Sequence, residues 1–197
     1  MRYLTAALSF VIACNAIANE PIRFEGRKVT DPVGEYQITG MGKHDAVVYV
    51  DLKNHFSLVL PYSEAWEFWR NPAQLTAHAG LYNVSVEMLP DQSATDQEYL
   101  ETVASALLSK KDANGTETAK VREAGGRPVL GIIADAEALA KEPRFKGIKQ
   151  YSFITSRVSK GVRFRYQLSL LDAENKGSAA ASSLLKYVVN GFQAGVK

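Results

Sequence analysis

Alternation of apolar and polar residues dominates this chain and predicts a sheet protein with two helices. Ala46–Leu52 and Phe56–Leu60 are β-rich runs on either side of Lys53-Asn54-His55, a hairpin that Pro61 stops. In Leu81–Leu89, residues Tyr82, Val84, Val86 and Met88 fall on one face. Val121–Ala134 reads as two short strands joined at Gly125-Gly126. The clearest hairpin is Tyr151–Leu171. Tyr151, Phe153 and Thr155 alternate outward, Ser159-Lys160-Gly161 turns, and Val162, Phe164, Tyr166, Leu168 and Leu170 return as the buried face. Its other face carries Arg163, Arg165, Gln167 and Ser169, which the same alternation predicts to be wet.

Two segments switch to helical spacing. Thr95 and Glu98 form a capping box, and Leu100, Val103, Ala104, Leu107 and Leu108 then recur along a helix reaching Lys111. A last helix follows Gly177-Ser178, with Leu184, Leu185, Val188, Val189 and Phe192 as one stripe. Asp135–Lys141 reads as a helical turn, and Trp66-Glu67-Phe68-Trp69 as a short aromatic segment in a loop before Pro72. The pattern predicts an α+β fold: an antiparallel β-sheet with amphipathic helices packed on it, in an α/β/α sandwich.

The N-terminus predicts an address. Met1-Arg2 is a minimal positive region and Tyr3–Ala13 an apolar core, so residues 1–18 read as a secretory signal peptide. Ala16-Ile17-Ala18 offers one cleavage site. Val11-Ile12-Ala13-Cys14 offers another, a lipobox whose Cys14 would be lipidated. Either reading expects a periplasmic protein, soluble or lipid-anchored, without a disulfide. Residues 19–45 are polar and turn-rich, an extended arm or a first strand, and 46–197 form a single domain.

Composition narrows the function classes. With 197 residues, 46% hydrophobic and 22% charged, the chain is neither disordered nor a disulfide scaffold, and a net charge of +2 argues against a general polyanion binder such as a nucleic-acid protein. No run of apolar residues is long enough to span a bilayer as a helix.

Order and punctuation carry a resemblance. The strand Phe56–Pro61 followed by Trp66, the strand Leu81–Met88 and the capped helix Thr95–Lys111 come first. The Gly125-Gly126-Arg127-Pro128 turn, the Tyr151–Leu171 hairpin and the terminal Val189-Asn190-Gly191-Phe192 follow. Over residues 46–194 this series resembles the PsbP-like fold family, which takes in PsbP, Ran-binding Mog and DcrB-like envelope proteins. The chain departs from the family at Ala65, where a glycine precedes the tryptophan, and at an insertion over Asp135–Pro143. The resemblance implies a non-catalytic module that docks onto proteins or an envelope surface, with no agreed site to transfer.

Catalytic patterns are sparse. There is no G-x-S-x-G, P-loop, H-E-x-x-H or C-x-x-C, so no cofactor or metal is expected. Ser183 and Lys186 match S-x-x-K without its companion motifs, and they lie in an apolar helical stripe. His44, His55 and His78 read as turn or loop residues, with a His44/Asp45 metal site as a remote alternative, and Glu64/Glu67 and Glu98/Glu101 as solvated helix faces.

Charge asymmetry is stronger. Residues 19–112 carry 14 acidic and 8 basic side chains, while residues 113–197 carry 7 and 14. Lys149, Arg157, Lys160, Arg163 and Arg165 would form a basic strip on the wet face and tip of the hairpin. With Trp66 and Trp69 they are the candidate partner-binding residues, for an envelope protein with an acidic surface or an anionic membrane surface. Charge reversal at Arg163 and Arg165 is then expected to abolish partner capture and leave thermal stability nearly unchanged. The sequence thus reads as a non-enzymatic docking or accessory module, or an immunity or inhibitor protein. The alternative is a small-ligand carrier, or less readily a hydrolase, with a pocket between the terminal helix and the sheet near Trp66.

Overall fold

The computed structural model describes residues 20–42, 45–91 and 94–195. The leader with Cys14 lies outside the described residues, as does His44. Among the described residues, thirteen strands and four α-helices follow one another. The first half holds β1 (Ile22–Phe24), β2 (Val29–Thr30), β3 (Tyr36–Met41), β4 (Ala46–Asp51), β5 (Phe56–Pro61), β6 (Trp66–Asn71), β7 (Gln74–Ala79) and β8 (Tyr82–Pro90). Helices α1 (Asp96–Leu108) and α2 (Lys111–Asn114) precede β9 (Thr116–Ala124) and β10 (Arg127–Asp135). Helix α3 (Ala136–Ala140), β11 (Lys149–Ser159), β12 (Val162–Leu171), α4 (Ser178–Gly191) and β13 (Phe192–Ala194) complete the chain.

The strands form two sheets, not one. An eight-stranded sheet runs β1-β6-β7-β8-β12-β11-β10-β9, and a five-stranded sheet runs β13-β5-β4-β3-β2. Every pairing is antiparallel. The main core lies between the sheets and is closed by α4, with Phe24, Tyr49, Phe56, Trp66, Phe68, Phe164, Tyr166, Leu184, Val188 and Phe192 all buried. A smaller core lies on the other side of the large sheet, where Leu100, Ala104 and Leu107 of α1 meet Ala119, Leu130, Ile132 and Ile154. The architecture is therefore α+β as expected, but α4 shares its layer with a second sheet.

Residues 19–45 are more than an arm: β1 joins the large sheet beside β6, and β2 and β3 build the small one. The aromatic segment is strand β6 rather than a loop. Its alternation was masked because only four of its residues stand before Arg70 and Pro72 breaks the run. Glu67 consequently sits on a strand, not a helix, and His78 lies on β7 instead of a turn. The capping box is present at Thr95 and Glu98, and α1 ends at Leu108, before the Lys110-Lys111 pair.

A buried carboxylate ties the sheets together. Asp51, 1% exposed, accepts from the Tyr49 hydroxyl at 3.0 Å, the Asn54 amide at 2.7 Å and Arg70 Nη2 at 3.2 Å. Arg70 of β6 also bonds Glu35 and covers the Tyr36 ring at 4.9 Å. Burial, with the Asp51 charge beside it, holds the Tyr49 phenol far above its ordinary range.

The β9–β10 turn meets α4 closely. Gly125 has φ +59°, and a Cβ there would lie 2.1 Å from Val189 Cγ1. Gly125→Ala should therefore destabilise by about 1–2 kcal/mol from the left-handed backbone, plus the contact. Denaturant titration should show that Val189→Ala recovers only the contact part of that loss.

Candidate functional site: a tyrosine-walled cleft beside the C-terminal helix

The expected basic strip is not a surface. Arg163 and Arg165 are 1% and 7% exposed, because α1 and the segment leading into it cover that end of the sheet. Arg163 Nη1 donates to Asp96 at 2.6 Å and to Ser156 at 2.7 Å. Its Nη2 reaches Asp91 at 3.3 Å and the Ala94 carbonyl, and its guanidinium lies 4.9 Å from the Tyr99 ring centre. Arg165 pairs with Glu87 across the β8–β12 ladder. Burial would lower the Arg165 guanidinium, but Glu87 and Tyr99 outweigh it and raise the group. Alternation located the face correctly, yet it cannot report that a helix covers it.

The other expected residues scatter. Trp66 is fully buried, and its indole donates to the Pro61 carbonyl at 2.9 Å. Trp69 points to the opposite side of the sheet, half-buried and stacked on His78 at 5.1 Å. Lys149 pairs with Glu117 and Asp135, Arg157 is half-buried, and Lys160 is exposed at the hairpin tip. No set of three or more His, Cys, Asp or Glu side chains among the described residues is arranged to hold a metal.

What the fold does assemble is a cleft of about 460 Å³. It opens between the residues after β5, the β7–β8 turn, the β12–α4 connection and α4 as far as Tyr187. Tyr62, Tyr82 and Tyr187 wall it, and Leu170 and Leu184 give it an apolar floor. Trp66 stands behind the wall, 6.4 Å from the Tyr82 ring. These tyrosines come from three distant stretches of sequence, so no local pattern could group them. The alternative expectation of a pocket between the terminal helix and the sheet did point to this place.

The charged groups of the cleft already have partners. Asp172, 5% exposed, accepts from the Lys176 and Gly177 amides, both at 2.8 Å, and so shapes the turn into α4. At the rim Glu174 pairs with Lys176 at 2.5 Å and raises its ammonium. Tyr187 donates to the Asp45 carbonyl at 3.2 Å, and burial, with Tyr82 and Asp45 nearby, raises its phenol. Ser183 borders the cleft while Lys186 is not part of its lining, so the S-x-x-K pair does not converge there. The site offers shape and apolar contact; its carboxylates are spent on holding the loop.

No family model matches this chain, and no curated protein matches it. Solved structures do. The solution structure of cyanobacterial PsbP (CyanoP) from Synechocystis is 12% identical and covers 79% of this chain and 94% of its own, with a TM-score of 0.47. The crystal structure of the Saccharomyces cerevisiae Ran-binding protein Mog1p is 10% identical, covering 77% and 96%, with a TM-score of 0.48. A Bacteroides thetaiotaomicron protein is 11% identical over 87% of this chain and 49% of its own, with a TM-score of 0.38.

Proposed function

We propose that this protein is a non-catalytic binding module of the cell envelope and that the tyrosine-walled cleft takes a small, largely apolar ligand. The observation that carries the reading is the cleft itself. Its volume lies in the range of small-molecule sites, roughly 300–1,000 Å³. Three aromatic rings and a leucine floor supply the contact area that such ligands need. The acidic groups at its mouth are engaged with backbone amides or Lys176, which favours retention of a ligand over turnover. The envelope location rests on the signal-like leader and the choice between its two cleavage sites.

Anilinonaphthalene sulfonate, an apolar fluorescent probe, tests the cleft. The wild-type protein should enhance its emission. Ser183→Trp, an exposed helix position at the rim, should remove most of that enhancement by filling the cleft while the melting temperature holds. Equal enhancement by both proteins would sink the assignment.

A further inference from the structure

A second feature lies on the large sheet's core-facing side, beyond the part that α4 covers. Leu130 pairs with Ile154 in the β10–β11 ladder, and both face α1. Arg127 and Arg157 each stand three residues further toward the same end, so alternation turns both to the opposite face, the one that carries α4. Arg127 Nη1 donates to the Phe192 carbonyl at 3.3 Å, just past α4. Burial, with the Arg157 charge next to it, pushes the Arg127 guanidinium below its ordinary value. On β9, Lys120 pairs with Gly131 and Arg122 with Val129, which puts both on this face too, and Arg122 covers the Phe153 ring at 5.4 Å.

Among the described residues no carboxylate is paired with any of these four cations. Neither α4 nor β13 contains a carboxylate. Glu123, next to Arg122, alternates to the other face. Glu117 and Asp135 are paired with Lys149 at the far end of the strands. Among the described residues no carboxylate lies within ion-pair distance of Arg127 or Arg157. Like charges facing one another across strands cost stability, and an anion placed between them would relieve that cost. The large exposed apolar side chains (Val33, Met41, Leu52, Leu81, Leu108, Val158) do not lie between these cations, so the face lacks an anchor for a lipid surface.

We propose that Arg127 and Arg157, flanked by Lys120 and Arg122, form the docking site for an acidic segment of a partner protein, whose carboxylates fit between the two guanidinium groups. Arg–carboxylate forks give such a contact its geometry as well as its charge complementarity. The cleft plays no part in it.

A fluorescein-labelled hexaglutamate peptide in low-salt buffer, followed by anisotropy, tests the site. Arg157→Gln should weaken binding by about tenfold, and adding Arg127→Gln should abolish it. Lys146→Gln, an equal charge change at an exposed position outside this face, should leave binding unchanged. Arg157→Gln should also melt no lower than the wild type, because it relieves the repulsion. Equal weakening by Arg157→Gln and Lys146→Gln would overturn the proposal. So would wild-type binding to phosphatidylglycerol vesicles but not to the peptide.

Discussion

Arg163→Met should lower unfolding stability by about 3–5 kcal/mol, the usual cost of breaking a buried ion pair from one side. For a domain of this size the melting temperature then falls by on the order of 10 °C. The substitution removes the cation that Asp96 and Ser156 share, leaves the carboxylate only the Ser156 hydroxyl as a side-chain donor, and strips the cation from the Tyr99 ring. Because Asp96 opens α1, the loss should show first as loosening of that helix, read by hydrogen exchange over residues 96–108. The neighbouring pair isolates the cause. Arg165→Met and Glu87→Leu should each destabilise, while the double variant should recover most of the loss, since a buried pair can give way to apolar side chains of similar volume. A melting temperature within a degree or two of wild type in Arg163→Met would refute this account and restore the solvated strip that alternation predicts.

Trp66→Ala should cost about 3–5 kcal/mol as well, for a different reason. The ring fills the core between the sheets against Phe68 and Tyr82, so its removal leaves a cavity there. Trp66→Phe separates two contributions: it keeps most of the apolar volume but leaves the buried Pro61 carbonyl unpaired, a loss of about 1–3 kcal/mol. Trp69→Ala, three residues along on the opposite face, should cost only about 1 kcal/mol, mostly its stacking on His78. Denaturant titrations of the three variants give this ranking directly. A Trp69→Ala loss as large as that of Trp66→Ala would mean that the outer face of β6 is also core.

These contrasts mark what the sequence could convey. Strands with uninterrupted alternation, such as β8, β11 and β12, were legible, because a period of two can arise only on a pleated surface with unlike faces. The capping box made the start of α1 legible to the residue. Partition of the strands between two sheets was not, since no local signal says that β5 pairs with β13 or that β1 leaves β2 to join β6. Charge misled for a related reason. Arg163 and Arg165 alternate with Phe164 and Tyr166 just as surface residues would, and only Asp91, Asp96 and Glu87, far away in sequence, show that they are covered. Of the expected partner-binding residues, Arg157 alone remains within a cationic patch, and its neighbours there come from β9 and β10.

The pairing of β13 with β5 sets Phe56 opposite Ala194 and Leu58 opposite Phe192. The small sheet therefore takes its edge strand from a stretch far along the chain from β5, on the other side of α4. Distant contacts of this kind slow folding, because a long loop must be closed before any of its pairing energy is returned. A chain without β13 would leave the outer edge of β5 open, its backbone groups ready to pair with a stray strand from another copy.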